Sequence, residues 1–168
     1  MTKEKYLYKT VLAAMFAAIV CVSTIVIQIQ TPLNGYVNAG DCFVLISAWM
    51  LGGYYGAAAA GIGSMLADLM TGYAHYAPGT LIIKAGMAVV AVLVFKFMSK
   101  CKINNLISYI LSAVCAEVVM VAGYFGYAAI FRGKGLAAIS SIPGNLVQAA
   151  FGIVLSVLLI QIIKRIKK

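Results

Sequence analysis

Long apolar runs, broken by short clusters of glycine, proline and charge, set the pattern of this chain. Runs at about 8–28, 78–98, 105–127 and 143–163 each hold around 20 residues, the length of a helix that crosses a bilayer. Two shorter runs, 41–51 and 57–70, are separated by Gly52, Gly53, Tyr54, Tyr55 and Gly56, which predict a tight turn. Pro32, Asn34, Gly35, Asn38 and Gly40 predict a loop after the first helix, with Asp41 as the cap of the second. A loop over 71–77 carries Tyr73, His75 and Tyr76, and Pro78 suits the first turn of the fourth helix. Arg132, Gly133, Lys134 and Gly135 mark the last loop, and Pro143 opens the sixth helix. The runs are too long for barrel strands and do not alternate. The expectation is an all-α, single-domain bundle of six transmembrane helices.

Composition removes the soluble alternatives. The chain has 168 residues, 64% of them apolar and 10% charged, with a mean hydropathy of +1.01. Soluble domains run near half apolar and a quarter charged, so a soluble enzyme or a free nucleic-acid binder is excluded. The net charge of +9 lies mostly in clusters beside apolar runs. Lys3, Lys5, Lys9, Lys96, Lys100, Lys102, Lys164, Arg165, Lys167 and Lys168 make ten on one side of a six-helix topology, against Arg132 and Lys134, two, on the other. By the positive-inside rule both termini face the cytoplasm of a plasma membrane. The first apolar stretch is too long for a signal-peptide core, so it reads as a retained helix. Cys21, Cys42, Cys101 and Cys115 lack metal or redox spacing and read as small packing residues. Trp49 and most tyrosines read as interfacial anchors. Nothing calls for a metal or cofactor.

Ionisable groups inside a span are costly and face the bundle interior. Asp68, Lys84 and Glu117 are the three here, at about 6, 9 and 15 Å below the outer face by helix rise. Asn145 and Gln148 fall in the first outer turns of the sixth helix and share a face with Gly152. Asp68 lies on a stripe with Gly56, Ala60, Ser64 and Gly72, and Tyr124 lies two turns above Glu117. Together they predict an outward-facing polar cavity, with Asp68 and Lys84 either lining it or forming a structural ion pair. On the first helix Ala13 with Ala17, and Ala14 with Ala18, give two AxxxA pairs that allow close helix approach. A self-contained channel or proton-coupled carrier, and an intramembrane enzyme using Asp68 and Glu117, are the competing readings. Against them, the chain has no inverted-repeat symmetry and no catalytic motif.

GYVNAGD (35–41), GGYYGAAAAGIGSMLADLMTGY (52–73), APGTLIIKAG (77–86) and IPGNLVQAAFG (142–152) occur in order along nearly the whole chain. The combination resembles the substrate-binding S components of energy-coupling factor (ECF) transporters, in the riboflavin-transporter-like branch that also takes in hydroxymethylpyrimidine and pyridoxine-type proteins. The resemblance implies a non-catalytic, N-in and C-in subunit that captures a vitamin or precursor outside. It also implies docking through the AxxxA motif onto a transmembrane T component, with two cytoplasmic ABC-type ATPases supplying energy. Loops after the first, third and fifth helices would close the site; they carry Asn34 and Asn38, then Tyr73, His75 and Tyr76, then Arg132 and Lys134. The candidate ligand contacts are Asn38, Tyr73, His75, Tyr76, Lys84, Glu117, Tyr124, Asn145 and Gln148.

The charge tally generates a topological expectation. Single cysteines at positions 100 and 134 should label oppositely in intact cells with a membrane-impermeant maleimide: position 134 reacts and position 100 does not. The reverse pattern would invert the bundle.

Overall fold

The computed structural model describes residues 3–31 and 35–166. Among them are six α-helices: α1 Lys3–Val26, α2 Gly40–Leu51, α3 Gly53–Met70, α4 Ala77–Lys100, α5 Asn105–Gly126 and α6 Ile142–Ile166. Helical stretches over 3–26, 77–100, 105–131 and 135–166 are long and apolar enough to cross a membrane. At 12 residues α2 rises only about 18 Å, so it starts inside the bundle rather than at its face. Gly52, at φ +81, lets the chain reverse directly from α2 into α3.

Three segments differ from expectation. The region read as a loop after the first helix pairs as an antiparallel hairpin, β1 Gln28–Thr31 with β2 Gly35–Asn38, placing Ile29 opposite Val37. The β-branched and aromatic residues Ile29, Thr31, Tyr36 and Val37 favour that pairing over an irregular loop. Asn34 lies outside the described residues. The expected loop after α5 is also largely helical, with a π-helical turn at Tyr127–Phe131 and a 3-10 helix at Gly135–Ser141. Finally, α1 begins at Lys3, about five residues earlier than its apolar run suggests.

Small residues decide how the helices meet. α3 packs against α1, α2 and α4, and its buried positions are all small or polar: Gly56, Ala59, Ala60, Gly61, Gly63, Ser64, Ala67 and Asp68. Such residues let backbones approach closely, and dispersion then holds the helices where lipid gives no hydrophobic drive. A methyl group at Gly56 would stand 2.8 Å from the Ala48 Cα of α2, and one at Gly61 2.7 Å from the Leu81 carbonyl oxygen of α4. At Gly63 it would strike the Ala17 carbonyl of α1 and stand 3.0 Å from Val20 Cβ. Val20, Val44, Leu45, Met87 and Met120 fill the centre of the core. Large apolar side chains turn outward along every helix, for example Leu7, Val22, Leu93, Val118 and Phe151. That is the surface of a protein solvated by lipid.

The expected measurement is thermal unfolding of the purified protein. Gly63→Val should lower stability by about 1–3 kcal/mol, because it forces α1 off α3. Gly86→Ala, in the interior of α4 with open space around the added methyl, should hold or gain about 0.5–1 kcal/mol from helix propensity. Equal shifts in both variants would mean that the α1–α3 contact is not tight.

Candidate functional site

Asp41 stands at the centre of the polar interior. It is fully buried in the first turn of α2 and forms an ion pair with Lys84 Nζ of α4. Its second oxygen, Oδ2, accepts a hydrogen bond from Gln148 Nε2 of α6 at 2.6 Å. Gln148 in turn accepts through Oε1 from the Asn38 backbone N–H at 3.0 Å. Four elements, β2, α2, α4 and α6, are thereby joined through one carboxylate and one amide. Asp41 is not the helix cap expected of it. Ala39 holds that position without a side-chain cap, while Asn38 Oδ1 accepts from the Gly40 N–H at 2.8 Å. Lys84 pairs with Asp41, because the short α2 begins at the depth that Lys84 reaches on α4. Asp68 is buried on α3, and its carbonyl accepts from the Tyr73 N–H at 2.8 Å.

Glu117 of α5 approaches this node from the other side. It is 2% exposed, and neither carboxylate oxygen has a hydrogen-bond partner among the described residues. Gly152 of α6 makes room for it: a methyl there would stand 2.6 Å from Glu117 Oε1 and 3.0 Å from Asp41 Cβ. Two carboxyl groups therefore face a single lysine. Lys84 also lies 5.4 Å from the ring centre of Tyr124, whose hydroxyl bonds Thr80 Oγ1 at 3.1 Å.

An aromatic cluster lies where α3 turns into α4. The ring centres of His75 and Tyr76 are 4.9 Å apart, and those of Tyr73 and His75 6.1 Å. Tyr76 lies 5.9 Å from Tyr127 and 6.5 Å from Tyr124, with the Arg132 guanidinium 4.9 Å over its face. The Tyr127 hydroxyl donates to the His75 carbonyl at 2.8 Å, tying the loop after α3 to that after α5. Burial, reinforced by Tyr127 and Asp68, raises the Tyr76 phenol above its ordinary range, so it remains a donor. Partial burial, with Arg132 beside it, pushes the Lys134 amine down. Tyr124 links the cluster to the node, and Asn145, half-buried, lies one turn before Gln148.

Of the expected contacts, Asn38, Lys84 and Gln148 meet at the node, with Glu117 and Tyr124 beside it. Tyr73, His75 and Tyr76 share the aromatic cluster. Sequence reasoning missed Asp41 as the node, together with Thr80 and Tyr127. The acidic residue closing GYVNAGD was the available signal, obscured because a helix start is an ordinary place for a capping aspartate. Trp49 is no surface anchor; its Nε1 donates to Ser112 Oγ at 3.1 Å and its ring packs edge-on against Tyr109. Cys101 and Cys115 are exposed, unlike the buried Cys21 and Cys42. The two alanine pairs on α1 separate as well. Ala13 is buried beside Leu51 and Ala59, and Ala17 abuts Gly63. Ala14 and Ala18 are exposed on the outer side.

The family model for the ECF-type riboflavin transporter S component matches residues 5–165. The chain belongs to that family. It is also 34% identical over 137 residues to an "Uncharacterized protein in gap 3'region" of Pyrococcus woesei, covering 81% of this chain and 88% of that one. A solved structure of the S component of a bacterial ECF transporter superposes with a TM-score of 0.67 over 99% of this chain and 100% of its own. At 17% identity that likeness speaks for the fold. This S component is accordingly a multi-pass membrane protein of a transporter family. S components work with a T component and ATPases and are generally non-catalytic.

The node's energetics are measurable. Lys84→Met leaves Asp41 beside Glu117 without its cation and should cost about 3–5 kcal/mol of stability, as removing one partner of a buried pair does. Asp41→Asn combined with Lys84→Met should cost clearly less than the two single losses added together. Additive losses in a double-mutant cycle by thermal unfolding would mean that the pair is not coupled.

Proposed function

We propose that this S component captures a small polar heteroaromatic vitamin or precursor from outside the cell, for ATP-driven uptake with a T component and two ABC-type ATPases. Pyridoxine-type compounds and hydroxymethylpyrimidine lead the candidates, with riboflavin next. The observation that carries this reading is the stacking of an aromatic cluster above a buried polar node at one end of the bundle. The rings of Tyr73, His75, Tyr76 and Tyr124 offer faces for a flat ligand, while Glu117, Lys84, Asn38, Asn145 and Gln148 offer donors and acceptors beneath. The opposite end holds Lys100 and Lys164, the latter 4.5 Å over Tyr109, in keeping with cytoplasmic ends for α4 and α6. The site would therefore open outward, with both termini inside.

Docking is assigned to Ala14 and Ala18. They share one face of α1 and are exposed, whereas Ala13 and Ala17 are used by packing against α2 and α3. A transmembrane partner helix can approach such a face closely.

The test is co-expression with the T component and ATPases, following both uptake and ligand retained by the purified chain. Trp at positions 14 and 18 should lower uptake about tenfold or more, equivalent to at least ~1.4 kcal/mol of lost helix contact, while retained ligand is unchanged. Loss of retained ligand along with uptake would return these alanines to the packing of the bundle. Native mass spectrometry of the purified wild type names the ligand; a compound without a heteroaromatic ring would overturn the substrate reading.

A further inference from the structure

The end of the bundle opposite the aromatic cluster carries a group of exposed cations. Lys96 and Lys100 lie in the final turns of α4, Lys102 in the turn after it, and Lys164 and Arg165 in the last turn of α6; all five are exposed. They converge on one ring. Lys164 Nζ lies 4.5 Å from the ring centre of Tyr109 on α5. Phe95, the neighbour of Lys96, stacks on the same ring with centres 4.5 Å apart and planes at 26°. The ends of α4 and α6 therefore flank the start of α5 at one level.

No carboxylate answers these charges. Asp41, Asp68 and Glu117 are buried inside the bundle and Glu4 opens α1. None of the five cations has an acidic partner among the described residues. Helix dipoles do not absorb them either, since the C-termini of α4 and α6 together present only about one unit of negative charge. Lys102 is a separate sign. It is the non-glycine residue with positive φ, 56°, among the described residues, in a turn after a helix where glycine is the ordinary choice. A cation is held there against the backbone's preference.

The apolar surroundings fit a lipid better than a soluble anion. Leu93 and Phe97 lead to Lys100 on one face of α4, and Leu158 and Ile162 lead to Arg165 on one face of α6. All four apolar side chains are exposed. Each face thus passes from hydrocarbon to positive charge along the helix, which mirrors an anionic phospholipid from acyl chain to phosphate.

We propose that this end of the bundle holds an anionic glycerophospholipid, its phosphate among Lys96, Lys100 and Lys164 and its acyl chains along the outward faces of α4 and α6. A zwitterionic lipid brings its own cation to the same place and gains less there. The site stands apart from the polar node and does not depend on which compound is captured at the other end.

Trp49, the single tryptophan of the chain, packs edge-on against Tyr109 with ring centres 4.7 Å apart and so reports on this end. The full chain is placed in nanodiscs of mixed phosphatidylcholine and phosphatidylglycerol, with brominated acyl chains on one lipid or the other, and quenching of Trp49 is compared. Phosphatidylglycerol should be preferred beside Trp49 about fivefold or more, and high salt should lower that preference. Lys96→Gln with Lys164→Gln should bring the two lipids to within about twofold of each other. Lys96→Arg with Lys164→Arg, which keeps the charge, should keep the preference, as should Lys3→Gln with Lys5→Gln at the start of α1. Equal quenching by the two lipids in the wild type overturns the inference, whatever the variants do, and leaves these cations to an acidic protein partner. A preference lost with Lys3 and Lys5 but kept without Lys96 and Lys164 overturns the assignment to this end.

Discussion

A carboxylate with no contact to solvent has to be answered by the protein itself, and in this bundle Asp41 is answered from two helices at once. Lys84 comes from α4 and Gln148 from α6, while Asp41 itself opens α2. Breaking either contact would strand polar groups in a dry interior, where an unpaired charge costs several kcal/mol. The relative depth and rotation of three helices are therefore set together. Asn38 extends the constraint to the hairpin, since its backbone N–H uses the remaining acceptor of Gln148.

That network could not close without glycine and alanine at the helix contacts. Gly152 has to be bare for α6 to come close enough that Gln148 reaches Asp41, and the same gap receives Glu117 from α5. α3 does the corresponding work on the other side, with Gly56, Gly61 and Gly63 facing α2, α4 and α1. Packing inside the bundle consumes one small-residue face of α1 and leaves the next one free. The division between Ala13 and Ala17, inside, and Ala14 and Ala18, outside, follows from α3 occupying one side of that helix. An exposed small-residue face and a packing face lie about 100° apart on a single element.

The chemistry is asymmetric along the membrane normal. Rings, amides and carboxylates gather where α3 turns into α4 and where α5 passes into α6. Trp49, Tyr109 and Phe95 pack together at the far end, with the exposed Lys164 over the Tyr109 ring. Tyr124 joins the two layers of this end, touching Thr80 by its hydroxyl and lying near the amine of Lys84 by its ring. The contact of Tyr127 with the His75 carbonyl ties two loops together above it. Binding between the layers would thus be felt at once by α4, α5 and α6.

Hydropathy and charge placement made the solvent, the helix count and the sidedness expectation legible, because a span must be apolar over a fixed length whatever it packs against. Buried polar residues were legible as a set for the same reason: Lys84, Glu117 and Gln148 stand out wherever they sit in an apolar run. Their partners were not. Asp41 lies beside a turn, where an acidic residue is ordinary, and only the short length of α2 places it at the depth of Lys84. The hairpin of Gln28–Thr31 and Gly35–Asn38 was hidden by four-residue strands too short to show a period. Which alanine pair faces outward was undecidable along the chain, since 13/17 and 14/18 have the same spacing. Local sequence sets what each residue tolerates as surroundings; the rotation of one helix against another, decided by contacts far apart in the chain, settles which surroundings it receives.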